Sequence, residues 1–86
     1  MTVKYSKMFR KQYRKLSPKL QQKTMDTIRL WSKDPYDELL HLHRLKGKMS
    51  RFHSIDIAFD LRALYEIIDD EVVLYQMMGS HSQLYG

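Results

Sequence analysis

The sequence predicts an α+β fold in which a helical hairpin packs on a small antiparallel β-sheet, in the order β-α-α-β-β-β. Three observations predict it: two stripes of helical period in the first third, a proline-led helix start between them, and β-rich segments from Phe52 onward. With 86 residues the chain has room for one domain, residues 1–86, and not for two.

Apolar and polar residues alternate over 3–6, as in an edge strand. Phe9, Tyr13 and Leu16 then recur at i, i+4 and i+7 against a basic face and predict a first helix over about residues 7–16. Ser17-Pro18 supplies an N-cap oxygen followed by proline at the first helical position, where its missing N–H costs nothing. A second helix therefore starts there and folds back on the first. Leu20, Thr24, Ile28 and Trp31 keep its period, and Asp34-Pro35 ends it near Lys33, because the residue before a proline is pushed out of the helical region. Residues 36–50 have no clean period; Leu39, Leu40, Leu42 and Leu45 anchor an ordered loop, and Lys46-Gly47-Lys48 marks a turn. From Phe52 the pattern alternates, with Ile55, Ile57 and Phe59 on one face and Ser54, Asp56 and Ala58 on the other. Strands follow over 61–68 and 72–78. Their connections, at Phe59-Asp60 and Asp69-Asp70, are too short for crossover helices, so the three strands form an antiparallel meander.

Composition narrows the function classes. The chain is 43% hydrophobic and 29% charged with three Gly and two Pro, which excludes disordered, collagen-like and low-complexity classes. No apolar run approaches the ~18 residues of a membrane span, and the start at Met1-Thr2-Val3-Lys4 lacks a signal-peptide core, so a cytoplasmic address and no membrane partner are expected. The absence of Cys removes disulfides, thiolate metal sites and cysteine nucleophiles together. A domain of this size encloses no deep cavity, so any active site is expected to be shallow. The net charge of +5 is unevenly placed. Lys4, Lys7, Arg10, Lys11, Arg14, Lys15, Lys19 and Lys23 all precede the first acidic residue, Asp26. That asymmetry fits a surface that meets phosphate or an acidic partner, or else a solvated helix face; Arg44, Lys46, Lys48 and Arg51 add a second basic group.

No G-x-S-x-G elbow, phosphate-cradling glycine loop or H-E-x-x-H helix is present. What remains for chemistry is His41, His43, His53 and His81 with Asp56, Asp60, Arg62 and Tyr85. His41 and His43 alternate, so an extended backbone points both to one side, but a third ligand at suitable spacing is missing and no metal or other cofactor is expected. Asp56 reads either as a solubilising strand residue or as a functional one, and Asp60 as a turn former or a catalytic residue. Arg62 either pairs with Glu66 on the same strand face or clamps an anion. The C-terminal Gly79-Ser80-His81-Ser82-Gln83-Leu84-Tyr85-Gly86 is unusually rich in functional side chains for a chain end.

Three segments in register carry a resemblance: His43-Arg44-Leu45-Lys46-Gly47, then Asp60-Leu61-Arg62-Ala63-Leu64-Tyr65-Glu66-Ile67, then Gly79 through Gly86. Together with the basic helical hairpin they resemble the RelE superfamily of bacterial toxins over nearly the whole chain, the YafQ branch most closely. The resemblance implies a RelE-like fold and an endoribonuclease that cuts mRNA in the ribosomal A site and is neutralised by a cognate antitoxin, with DNA met only through the antitoxin complex. The branch pattern of two histidines, an aspartate and a C-terminal histidine falls on His43, Asp56, Asp60 and His81, and its terminal aromatic on Tyr85. Asp56 stands where the family has a histidine; an aspartate there can act as a base but hardly as an acid at neutral pH. Arg62 matches a phosphate-binding arginine of other members.

The chemistry asks for no more than these residue types. RNA brings its own nucleophile, the 2′-OH, so cleavage needs a base, an acid for the leaving 5′-oxygen, and cations for the charge that builds on the phosphate. On this reading His81 and His43 handle protons, Asp60 orients one of them or helps as base, and Arg62 with Lys46, Lys48 and Arg51 holds phosphate, while Tyr85 stacks on a base. Two alternatives stay open: a ParE-like toxin that poisons gyrase without using the histidines, and a basic module that binds nucleic acid without cutting it.

Overall fold

The computed structural model describes residues 2–85; Met1 and Gly86, the last residue of the C-terminal motif, lie outside the described residues. Five strands and three helices follow in the order β1 (Thr2–Tyr5), α1 (Lys7–Arg14), α2 (Pro18–Lys33), β2 (His43–Arg44), β3 (Phe52–Ala58), β4 (Leu61–Asp69), β5 (Val72–Gly79) and α3 (His81–Tyr85). The sheet order is β1-β5-β4-β3-β2. β3, β4 and β5 form the expected antiparallel meander, while β1 joins the far edge parallel to β5, with Thr2 opposite Val72 and Tyr5 opposite Tyr75. The sheet is therefore mixed, not purely antiparallel.

Local chemistry sets the helix ends. Ser6 caps α1 by accepting the Phe9 N–H at 2.9 Å, and Ser17 caps α2 by accepting the Leu20 N–H at 3.3 Å, with Pro18 in the first turn. The Gln21 side chain donates to the Tyr13 carbonyl at 3.0 Å and ties the two helices together. Thr24 and Thr27, buried on α2, return their hydroxyls to the carbonyls of Leu20 and Lys23.

Both helices cover one face of the sheet. Phe9, Ile28 and Trp31 meet Ile55, Ile57, Ala63, Tyr65, Val73, Tyr75 and Met78 in a single buried cluster. Trp31 packs edge-on to Tyr65 and Tyr75 at 5.1 and 5.5 Å between ring centres. Truncating such a buried indole costs about 3–5 kcal/mol. Burial pushes the phenols of Tyr65 and Tyr75 up from their ordinary values, because an ionised ring has no water to solvate it there.

Three sequence expectations change. Residues 36–50 are not a bare loop, for they hold two 3-10 turns, Glu38–Leu40 and Gly47–Met49, and the two-residue strand β2 between them. Phe59, placed by alternation on the inner face, is fully exposed: β3 ends at Ala58 after a register shift that begins at Asp56, and Phe59 falls in the turn. Ser54, placed on a polar outer face, is wholly buried, because α3 folds back over that face.

Candidate functional site

The face of the sheet turned away from α1 and α2 carries the candidate residues. Residues paired across adjacent strands share a face, so the register His43–Ser54–Leu64–Met77 and the register Asp56–Arg62–Gly79 lie side by side there. α3 closes one end of this surface. Its start is a reciprocal capping box: Ser80 Oγ accepts the Gln83 N–H at 3.2 Å, and Gln83 Oε1 accepts the Ser80 N–H at 2.8 Å. Gly79 lets the helix approach, since a Cβ there would lie 2.9 Å from Gln83 Oε1 and 3.2 Å from Gln83 Cβ. Tyr85 reaches back over the sheet to Ser54, with its hydroxyl 3.4 Å from Ser54 Oγ, and its ring meets His81 edge-on at 4.7 Å.

A line of charged groups crosses this face. Asp56 Oδ2 accepts from Nδ1 of His41 at 2.8 Å, while Asp56 Oδ1 lies 3.3 Å from Arg62 Nε. Arg62 is 3.9 Å from Asp60 Oδ1, and the same Asp60 oxygen accepts the backbone N–H of His81 at 3.2 Å. Asp60 thus reaches beyond its turn to hold the first residue of α3, where a carboxylate also complements the positive end of the helix. Arg62 does not pair with Glu66. It sits between two carboxylates with 24% of its side chain exposed, and Glu66 binds Gln76 at 2.7 Å and Arg51 at 3.6 Å instead.

His43 is exposed on β2, and its Nδ1 donates to the His41 carbonyl at 3.0 Å. A carbonyl oxygen only accepts, so the proton of neutral His43 sits on Nδ1 and Nε2 carries the lone pair. Lys46 and Lys48 are exposed at the 3-10 turn just beyond β2. Arg51 pairs with Glu66 at 3.6 Å, and its guanidinium carbon lies 4.7 Å from the centre of the Phe52 ring. His53, paired with Arg44 and Tyr65 in the sheet, stacks on the Tyr65 ring at 5.2 Å. Burial, aided by the nearby Arg44 charge, pushes its pKa below the ordinary histidine value. It is a packing histidine.

Two hollows flank the 41–43 segment. One of about 550 Å³ is lined by Tyr36, His41, His43, Arg44 and His53 among others; the second, about 570 Å³, is lined by Lys23, Leu39, His41, Asp56 and Phe59 among others. Among the described residues no three His, Asp or Glu side chains gather as a metal site. No described helix is long and apolar enough to cross a membrane.

Residues 1–86 match the model of a family described as the bacterial toxin of type II toxin-antitoxin system, YafQ. The chain belongs to the YafQ family of toxins. Among solved structures it is similar to YafQ from E. coli, at 18% identity and TM-score 0.78, with 99% of this chain and 98% of that one covered. A conserved hypothetical protein from Helicobacter pylori is 28% identical, with a TM-score of 0.70 and 99% of each chain covered. The toxin-antitoxin complex RelBE2 from Mycobacterium tuberculosis is 22% identical at TM-score 0.75, with 93% of this chain and 96% of that one covered. No curated protein sequence matches the chain.

The YafQ-like fold accounts for which candidates meet. Asp56, Asp60, Arg62, His81 and Tyr85 come together through β3, β4 and α3, with His43 on the adjoining edge strand. Lys46 and Lys48 flank the site from the 3-10 turn, and Arg51 is turned to Glu66. The residue that motif matching passed over is His41. Its signal was the alternation of His41 with His43, which reads equally as two ligands on one side of a strand; the left-handed backbone at His41, φ 47°, is what sends its ring to Asp56 instead.

Proposed function

We propose that this toxin is a metal-independent endoribonuclease that cuts mRNA at the ribosomal A site, its whole length of 86 residues acting as one toxin domain. The observation that carries the reading is the gathering of His43, Asp56, Asp60, Arg62, His81 and Tyr85 on the open face of the sheet. A strand of RNA needs such a surface and no enclosed pocket. His81 gives its proton to the leaving 5′-oxygen, fixed in place by the capping box and by Asp60 on its backbone N–H. His43, whose Nε2 has no hydrogen-bond partner among the described residues, is the second imidazole. Lys46, Lys48 and the Arg62 guanidinium meet the phosphate, which competes with Asp56 and Asp60 for Arg62. Tyr85 offers its ring to a base.

The partner in the resting cell is a cognate antitoxin, a reading supported by family membership and by the mycobacterial relative, whose structure is that of a toxin-antitoxin complex. The complex meets DNA through the antitoxin, and both act in the cytoplasm. The test is to induce the chain in bacteria without antitoxin and map new 5′ ends across the messages, beside a His81→Ala control. New ends phased to the reading frame and absent in the control are expected. Growth arrest with intact messages in both strains overturns the nuclease reading.

A further inference from the structure

Resting on the ribonuclease reading above, we propose that His41 is a catalytic base of this chain, aimed by Asp56, and that the pair supplies the proton transfer the family pattern assigns to a histidine at position 56. The resemblance gives position 41 no role. The geometry does. Continuing the β2–β3 register by two residues, from His43 opposite Ser54, puts His41 opposite Asp56. His41 is also the one described non-glycine residue with positive φ, at 47°. Such a backbone is one an ordinary side chain rarely adopts, and here it turns the imidazole onto the carboxylate.

The pair has the form of an oriented base. An ionised carboxylate only accepts, so the 2.8 Å contact fixes the proton of neutral His41 on Nδ1 and leaves the Nε2 lone pair free; Nε2 has no partner among the described residues, and the side chain is 72% exposed. Asp56 is itself held from the other side by Arg62 at 3.3 Å, so it is a positioning residue and not the base. The contacts run in the order His41, Asp56, Arg62, Asp60, His81. The last contact is to the His81 backbone N–H, so the Arg62 cation stands in this series between a base and the residue that supplies the acid, the roles that displacement at phosphorus needs. His41 also borders both hollows beside the site, where Tyr36 and Phe59 expose rings to flanking nucleotides.

In the step, His41 Nε2 takes the proton of the 2′-OH as O2′ bonds to phosphorus. The P–O5′ bond breaks, and O5′ takes its proton from the His81 imidazolium. The products are a 2′,3′-cyclic phosphate and a 5′-hydroxyl; His41 is left protonated and His81 neutral, and exchange with water resets both.

The test measures single-turnover cleavage of a defined mRNA on programmed ribosomes by wild type, His81→Ala, His41→Asn, His41→Gly and Asp56→Asn. Asn and Gly both accept the left-handed backbone, so these His41 variants keep the fold. The expected result is a fall of about 100-fold or more for both His41 variants. Added imidazole restores cutting to His41→Gly, and not to Asp56→Asn, which loses kcat with KM unchanged. Wild-type rates in the His41 variants, alongside an inactive His81→Ala, overturn this proposal and leave the nuclease reading standing. A slow His41→Gly that imidazole does not restore overturns it too, since a structural role alone explains that loss. No cutting by wild type sinks the reading on which the proposal rests, and the proposal with it.

Discussion

Replacing Gly79 with Ala tests whether α3 is part of the site or an ornament of the fold. The added Cβ would sit 2.9 Å from Gln83 Oε1, 3.2 Å from Gln83 Cβ and 3.6 Å from Leu84 Cδ2. The amide oxygen can rotate away, but it then releases the Ser80 N–H and opens the capping box, at a cost of about 1 kcal/mol. The Cβ of Gln83 belongs to the helix itself, so relieving that contact moves the helix by several tenths of an ångström. Together the local cost is about 1–3 kcal/mol. A fold stable by about 5–15 kcal/mol survives this, whereas the docked position of α3 loses roughly a 5- to 150-fold advantage. We therefore expect Gly79→Ala to keep its core amide protection and near-UV spectrum, to show shifted resonances for His81 and Tyr85, and to cut RNA 5- to 150-fold more slowly. Undiminished cutting together with shifted α3 resonances would refute the assignment of His81 and Tyr85 to the site.

Other perturbations isolate other groups. Tyr75→Phe removes a buried hydroxyl that has no hydrogen-bond partner among the described residues, so its melting temperature should match or exceed that of wild type; a loss above about 1 kcal/mol would mean that the hydroxyl is paired. His53 is protonated less readily in the fold than in the unfolded chain, so its contribution to stability is complete above about pH 6.5 and is lost as pH falls through the lowered native value. His53→Phe, which keeps the stack on Tyr65, should flatten that part of the stability profile in denaturant titrations at pH 5 and 7.5; parallel slopes for the two proteins would contradict it. Phe59→Ser should leave stability within about 0.5 kcal/mol but raise the KM for RNA by roughly 5- to 150-fold, the worth of one base stack, with kcat unchanged; an unaltered KM removes Phe59 from the binding surface.

The helices and the meander were legible because their signals are local. Ser17-Pro18 and Asp34-Pro35 bracket α2 at both ends, and the apolar period between them matches the buried Thr24, Ile28 and Trp31. The parallel pairing of β1 with β5 was not legible, since nothing in residues 2–5 names a partner at residues 72–75. Phe59 misled because period-two reasoning cannot see a register shift. In the site, motif spacing brought forward Asp60, Arg62 and His81, which the fold joins through the contacts of Asp60. His41 was hidden because its role depends on a single backbone torsion, and α3 was hidden because five residues carry too short a period to read, although Ser80 and Gln83 already spelled its capping box.

The seam between β1 and β5 also bears on how the protein is made. The strand synthesised first finds its neighbour only seventy residues later, when Val72 arrives opposite Thr2. At about 5–20 residues per second that wait lasts roughly 4–14 s, during which α1 has neither the strand it packs on nor the Gln76 carbonyl that anchors Ser6. The residues that complete the open face, Gly79 to Tyr85, come later still. A ribosome translating this chain therefore carries an unfinished sheet through nearly the whole of elongation, and the open face is completed only with its last strand and helix.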